Sequence, residues 1–433
     1  MPHNSIIWRY HLATLMVVCE PESNGIHHSY LPVVIGEMHV MTNGLSPESV
    51  GRRIREYEGF GIHRTGWPGD MGSANWGLAE LQGDGVDGWI EEFEFPMFRA
   101  ESTRVTWDGG GADGVALHDC GVTDADGVAG GLVTAGGADV RGKIVIAGEN
   151  DPAFDQGPVY ERIAELETAG AAGLVLQRSD SLGAINVLNA YRIAEPIGLL
   201  VLQIAGPDGS GLSEAAKAGG QGILIIDATR KTARARNVAV TMPGDDPDAA
   251  PVAIMTPRSG WFICASERGG GVAIWLGLAA AIAAMPTRRR TVHMVASSGH
   301  EINHYGLQAF LSARDGLETT AIAWLHLGAL IGSRARSVKI EPSDAELGAM
   351  ARSAFESSGA ERWMMWDRRG GEAENIAKAG GRYVSLRGEA ADNEGGETFF
   401  HSPNDSIDRA SDIELVAASG RACLTMVEAL VSS

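Results

Sequence analysis

The sequence predicts an α/β protein: a mostly parallel sheet covered by helices on both faces, with a smaller β-rich α/β module inserted into it. Three observations carry this. Strand-like and helix-like runs alternate from Asn237 to Leu430. At about Asp108 the composition turns to Gly, Ala and Val, and it stays so to about Thr232. The apolar run 291–296 leads directly into Ser297-Ser298-Gly299-His300-Glu301-Ile302-Asn303-His304-Tyr305-Gly306. The carboxyl end of a buried strand is where open α/β sheets place ligands. Residues 40–107 and 233–433 are therefore expected to form the main domain and 108–232 the insert, with 1–39 an amino-terminal extension.

Residues 46–57 read as a helix capped by Ser46, with Glu48 in its first turn. A turn-rich stretch at 63–70 precedes a second helix at 73–81, and residues 89–98 alternate like a strand. Within the insert, short strands at 143–147, 173–177, 198–204 and 222–227 alternate with helices at 160–168 and 211–218. Few titratable groups sit near those strand ends, which points to a lid or interaction module. Strands follow at 237–242 and, after a turn at 244–248, at 251–256. The remaining order is a long buried helix at 270–284, a strand at 291–297, a helix at 303–311, a strand at 321–327, a helix at 345–357, a strand at 382–386 and a closing helix at 412–430.

The formal net charge of -20 argues against nucleic acid or an anionic membrane as the main partner. The one basic run, Arg288-Arg289-Arg290, suits the carboxyl end of the preceding helix. Cys19, Cys120, Cys264 and Cys423 are scattered without a C-x-x-C pair, so neither a disulfide framework nor a thiolate zinc site is expected, and a cytoplasmic setting is. The apolar stretch 11–18 is too short to span a bilayer and lacks a small-residue cleavage site; residues before Met38 read as sequence upstream of a native start. The apolar stretch 273–285 runs into Pro286 and the arginines, as a buried helix would. A homo-oligomer is compatible with the sequence.

Three stretches are expected to partner the 297–306 segment: 255–271, 324–332 and 399–405. Taken with Arg64-Thr65-Gly66, Pro68-Gly69-Asp70 and Phe400-His401-Ser402-Pro403-Asn404-Asp405, their order resembles the M28 family of zinc aminopeptidases, which includes glutaminyl cyclases and inactive relatives. The insert resembles the protease-associated domain that many members carry there. The resemblance spans most of the chain beyond residue 40, but the metal positions depart from it. Pro257 stands where the family has its first histidine, and Ser259 where an aspartate follows. Glu267 takes the bridging aspartate position, His300-Glu301 the Glu-Glu pair, and His326 the next strand's aspartate; His401 keeps the final histidine.

The resemblance implies one divalent ion, zinc, held by Glu267, Glu301 and His401, with His326 joining it or holding a substrate carbonyl. Three N/O donors with an open fourth position are what catalytic zinc uses. His300 would be the general base, since imidazole titrates near neutrality. Arg258 or Arg268 would bind a substrate carboxylate or developing oxyanion, while Glu372, Ser259 and His304 would line the substrate site. The implied activity is hydrolysis of an amide or related C–N bond in a small anionic acylated compound or short peptide.

Other readings of the same residues stay open. His300-Glu301-Ile302-Asn303-His304 spells HExxH, which binds zinc when the whole pentapeptide is helical. His300 and Glu301 could instead form a structural hydrogen-bond network, and His326 could be a core histidine. Arg258 and Arg268 could pair with Glu267 and Glu301, giving a metal-free pocket in a binding or scaffold protein. Ser259 lacks a nucleophile elbow, Cys264 lacks a basic neighbour, and no Walker A pattern is present.

Overall fold

In the computed structural model, residues 43–137, 139–388 and 398–433 are described. The expectations for residues 11–18 and for sequence before Met38 lie outside the described residues. Among the described residues fourteen strands make one hydrogen-bonded sheet. They are β1 (Gly88–Trp107), β2 (Gly110–Asp113), β3 (Val115–Ala116), β4 (Val128–Thr134), β5 (Ile144–Ala147), β6 (Gly173–Gln177), β7 (Leu200–Ile204), β8 (Gln221–Met242), β9 (Val252–Pro257), β10 (Val292–Ser297), β11 (Ala323–Leu327), β12 (Val338–Pro342), β13 (Trp363–Met365) and β14 (Tyr383–Arg387). The order is β13-β12-β14-β11-β9-β10-β8-β4-β5-β6-β7-β3, with β1 lying against β8 and β2.

β9, β10, β11 and β14 are parallel neighbours, so their carboxyl ends open on one edge. β8 and β12 flank them in the antiparallel sense. The insert repeats the theme, with β4, β5, β6 and β7 parallel. The fold is thus α/β with a mixed sheet.

The expected strands at 222–227 and 237–242 are the two ends of one strand. β8 runs unbroken beside β1, antiparallel, with a single irregularity between Ala100 and Ser102. The carboxyl-terminal part of β8 pairs with β10 and its amino-terminal part with β4, so this long ribbon belongs to both units. Lys231, Thr232 and Ala233 face solvent or half-face it along the ribbon, and their weak hydrophobicity hid the continuity.

Local signals set the helices. Ser46 caps Pro47–Glu58 and accepts a hydrogen bond from Ser49 N at 3.2 Å. The second helix, Pro68–Gly83, begins five residues before the expected start, because Pro68 is pre-set for a first helical position. Gly270–Ala283 is buried on nearly every face. Arg288 donates to the Ile282 carbonyl at 2.9 Å near its carboxyl end, as its charge suggested. The closing helix Ile413–Ser432 is apolar and long enough to cross a membrane, yet 72% of that apolar window is buried in the fold. One apolar core lies between these helices and the main sheet, and a second fills the insert.

Gly69 lets the start of the second helix pack against the backbone of the 60–62 loop. A Cβ there would stand 2.2 Å from the Ile62 carbonyl oxygen and 2.7 Å from that of Phe60. These are backbone atoms, so no rotamer relieves the clash. Gly69→Ala is expected to lower unfolding free energy by about 2 kcal/mol or more, measured by denaturant titration; a change below about 0.5 kcal/mol would show that this turn is free to shift.

Candidate functional site

The site gathers at the carboxyl edge of the parallel strands. After β9, Cys264 takes a left-handed conformation at φ 60, and Ala265–Gly269 winds as one turn of π-helix carrying Glu267 and Arg268. Asp405 holds that turn: its carboxylate accepts from Ser266 N at 3.0 Å and Glu267 N at 2.9 Å. Burial pushes the Asp405 carboxyl up to about 7. After β10, His300–Ile302 forms a short 3-10 turn bounded by left-handed Gly299 and Asn303. Among the described residues six non-glycine positions have positive φ, and five of them (Cys264, Asn303, His304, Leu330 and His401) lie on turns at this edge. Backbone held in such conformations clusters where a site is over-determined by its surroundings.

The insert closes over this edge. His401 Nδ1 donates to the Val187 carbonyl at 2.7 Å, and Val187 N donates to the His401 carbonyl at 3.2 Å. Ala190 N donates to the Glu301 carbonyl at 2.9 Å, and Trp261 Nε1 to Asn189 Oδ1 at 2.8 Å. His300 and His401 are left only 6% and 3% exposed.

The expected ligands Glu267, Glu301 and His401 do not converge. Both Glu301 oxygens are already occupied: Oε1 accepts from Thr65 N at 2.6 Å and Thr65 Oγ1 at 2.7 Å, and Oε2 from Ser259 Oγ at 2.7 Å. Ser259 Oγ in turn accepts from Gly299 N at 2.8 Å and His300 N at 3.2 Å. Glu301 and Ser259 therefore tie three turns together, and three hydrogen bonds already engage both Glu301 oxygens. Glu267 does meet His401, with Oε1 3.6 Å from Nε2 and Oε2 accepting from His401 N at 3.1 Å. The same Oε1, however, stands 2.7 Å from Arg268 Nη2, with both side chains buried. Among the described residues no group of three or more His, Cys, Asp or Glu is placed to hold a metal ion. With one carboxylate saturated and the other facing a guanidinium, the residues as arranged do not fit the expected zinc.

The remaining expected residues divide. Arg258 turns away from the site: its guanidinium is 2.9 Å from Asp70 Oδ1 and donates to Ser73 Oγ at 2.6 Å, to the Asp70 carbonyl and to the Arg236 carbonyl. Its role is structural. The HExxH reading fails, because Asn303 at φ 64 and His304 at φ 58 interrupt the pentapeptide and the α-helix starts at Tyr305. His304 accepts at Nδ1 from Asn375 Nδ2, 2.9 Å away. His326 shares a 2.8 Å hydrogen bond with Ser385 Oγ through Nδ1. Glu372 Oε1 accepts from Ser297 Oγ at 2.9 Å and lies 3.7 Å from His300 Nδ1.

What does converge is a set of buried, unpaired polar atoms around Arg268. Arg268 Nε donates to the Ser259 carbonyl at 3.0 Å and Nη2 pairs with Glu267 Oε1, while Nη1 has no partner. Without a hydrogen-bond partner too are His300 Nδ1, His326 Nε2, Glu372 Oε2 and His401 Nε2. Burial, reinforced by the Arg268 charge, pulls all four imidazoles below their ordinary value, His401 to about 4 and His304 to about 3. Burial pushes Glu372 up, opposed by His304, Ser297 and Arg268. The cluster is a guanidinium–carboxylate pair among imidazoles and the Glu372 carboxyl. Buried polar atoms are rarely left unpaired, so this concentration marks a place for a ligand or ordered water.

Sequence reasoning did not assign Thr65, Asp405, Val187 or Asn189 to the site. Thr65 and Asp405 lie in stretches already singled out, but serve as supports; Val187 and Asn189 come from the insert, where no local pattern marks them.

No family model matches the chain, and no curated protein matches it by sequence. Solved structures do. A zinc aminopeptidase from Bacillus subtilis superposes with a TM-score of 0.74 at 16% identity, covering 89% of this chain and 95% of that one. A peptidase M28 precursor from Shewanella amazonensis gives 0.71 at 16%, covering 92% and 96%. An aminopeptidase from an Aneurinibacillus strain gives 0.65 at 15%, covering 90% and 95%. The chain has an M28-like fold; at these identities the likeness speaks for the fold alone.

Breaking the Arg258–Asp70 pair tests its structural assignment. Arg258→Met leaves a buried carboxylate without its cation and is expected to cost about 3–5 kcal/mol of stability in a denaturant titration. Wild-type stability would return Arg258 to the list of free site residues.

Proposed function

We propose that the chain binds a small carboxylate-bearing ligand, an acylated amino acid or short peptide, on a peptidase-like scaffold in which Arg268 stands in the place of a metal cation. One observation carries this: a buried guanidinium whose Nη1 is unpaired, its Nη2 meeting Glu267, set among four unpaired imidazole or carboxylate atoms. A ligand carboxylate would accept from the unpaired Nη1, and the burial of the group strengthens that contact. Neutral His300 and His401, with Glu372, offer acceptors for the amide or amine groups of the same ligand. Three buried free thiols, Cys120, Cys264 and Cys423, support a reducing, cytoplasmic setting.

A second reading, a metal-dependent hydrolase of amide bonds, is favoured by a specific detail. The hydrogen bond from His401 Nδ1 to Val187 leaves Nε2 bare beside Glu267 Oε1. The zinc aminopeptidases of similar fold add to it. It requires Arg268 to leave Glu267.

Elemental analysis of protein purified with added zinc separates the two. No stoichiometric zinc is expected; about one zinc per chain, lost in His401→Ala, would overturn the first reading. For the ligand, N-acetylglycine and its uncharged amide are compared by calorimetry. Glu267→Gln/Arg268→Gln removes both charges together and is expected to weaken binding of the acid by about 10-fold or more while sparing the amide. Equal binding of acid and amide by the wild-type protein would remove the role given to Arg268.

A further inference from the structure

One edge of the sheet is uncovered. β13 is the outermost strand and, among the described residues, has a strand neighbour on one side only, β12. Val338 N donates to the Arg362 carbonyl at 3.0 Å, and Trp366 N to the Ile340 carbonyl at 2.8 Å. Backbone groups alternate sides along a strand, so the amides and carbonyls of Trp363 and Met365 point away from β12. Such an edge is a template for another strand, and proteins ordinarily blunt it with lysine, proline or a bulge. This one carries Trp363, Met364, Met365 and Trp366, none of them fully buried, with Met364 38% exposed.

The helix Ala345–Ser358 packs on β12 and β13 beside the same edge. Ala345, Gly348, Ala349 and Arg352 recur at helical spacing and, with Pro342 and Met365, line an open groove of about 440 Å³. A Cβ on Gly348 would stand 3.8 Å from Met365 Cε, so groove and strand form one surface. Trp363 lies on this face too, its ring 5.6 Å from that of Phe355.

The charges at the two ends of the edge are complementary. Glu361 precedes the strand and Arg369 follows it, each four residues from Met365 and each exposed. Neither has a hydrogen-bond or ion-pair partner among the described residues. Arg362, by contrast, is held back by Asp412, 2.6 Å away.

We propose that β13 is the interface of a homodimer, in which a second copy lays its own β13 antiparallel across the edge and continues the sheet from one subunit into the other. A two-fold axis normal to the sheet at Met365 pairs that residue with its own copy through the outward backbone groups, and it sets Glu361 of each subunit against Arg369 of the other. The same axis keeps the copy's Trp363 and Met365 on the helix-covered face, where the groove has room for them. The contact is self-complementary, so it closes at two subunits. It uses no residue of the Arg268 cluster.

Sedimentation equilibrium of the full chain over a concentration series tests this, with a monomer–dimer equilibrium expected. Glu361→Arg sets like charges opposite each other twice and should weaken the dimer about 10-fold or more, and Arg369→Glu should do the same. Combining the two restores opposite signs and should bring the affinity back to within about 3-fold of wild type. Ala349→Arg, which fills the groove from an exposed helix position, should weaken association about 10-fold. All three positions are exposed, so each variant is expected to keep the wild-type circular dichroism spectrum. The proposal is overturned if the wild-type protein stays monomeric, if Glu361→Arg or Ala349→Arg dimerises as wild type does, or if the charge swap fails to recover what the single variants lose.

Discussion

The contact between Arg268 and Glu267 decides what this scaffold can hold. The two residues are neighbours on one π-turn, and Asp405 fixes that turn through two backbone amides. The guanidinium therefore stays beside the carboxylate wherever the turn goes. Isolated buried charges cost several kcal/mol each, so the pair persists because each offsets the other's desolvation. Burial above all pulls the imidazoles of His300, His304, His326 and His401 below their ordinary value, and nearby cations, Arg268 among them, add to it.

Glu301 shows how a residue in a ligand position becomes a fastener. Thr65 reaches it from the amino-terminal turn and Ser259 from the turn after β9. Three hydrogen bonds satisfy a buried carboxylate well, and withdrawing them to bind an ion would strand the Thr65 amide and two hydroxyls. Ser259 stands where the family resemblance placed an aspartate; its hydroxyl donates to Glu301, which a carboxylate would repel.

The strand–helix order was legible because buried parallel strands read as apolar runs and the long helices carry caps such as Ser46. The edges of the argument were less so. β8 read as two strands because its middle is a solvent-facing ribbon with weak hydrophobic signal. The short strands β12 and β13 and the helix Ala373–Ala379 were not foreseen, being brief elements whose pairing is set by neighbours far along the chain. Arg258 and Arg268 looked alike in sequence, and only tertiary packing sends one to Asp70 and the other to Glu267. The HExxH spacing was present, but periodicity says nothing about the left-handed backbone at Asn303 and His304 that cancels it.

The insert adds the last constraint. It joins the main sheet through the continuous β1–β8 ribbon, and its 186–190 stretch hydrogen-bonds to the turns bearing His401 and Glu301. This closure excludes water, and low dielectric strengthens every polar contact inside. The same closure orients His401, because donating Nδ1 to Val187 leaves Nε2 as the free acceptor. A ligand can reach Arg268 only when these contacts loosen, since the imidazoles at the pocket are almost fully covered. The 186–190 stretch thus both covers the imidazoles at this edge and fixes the orientation of His401.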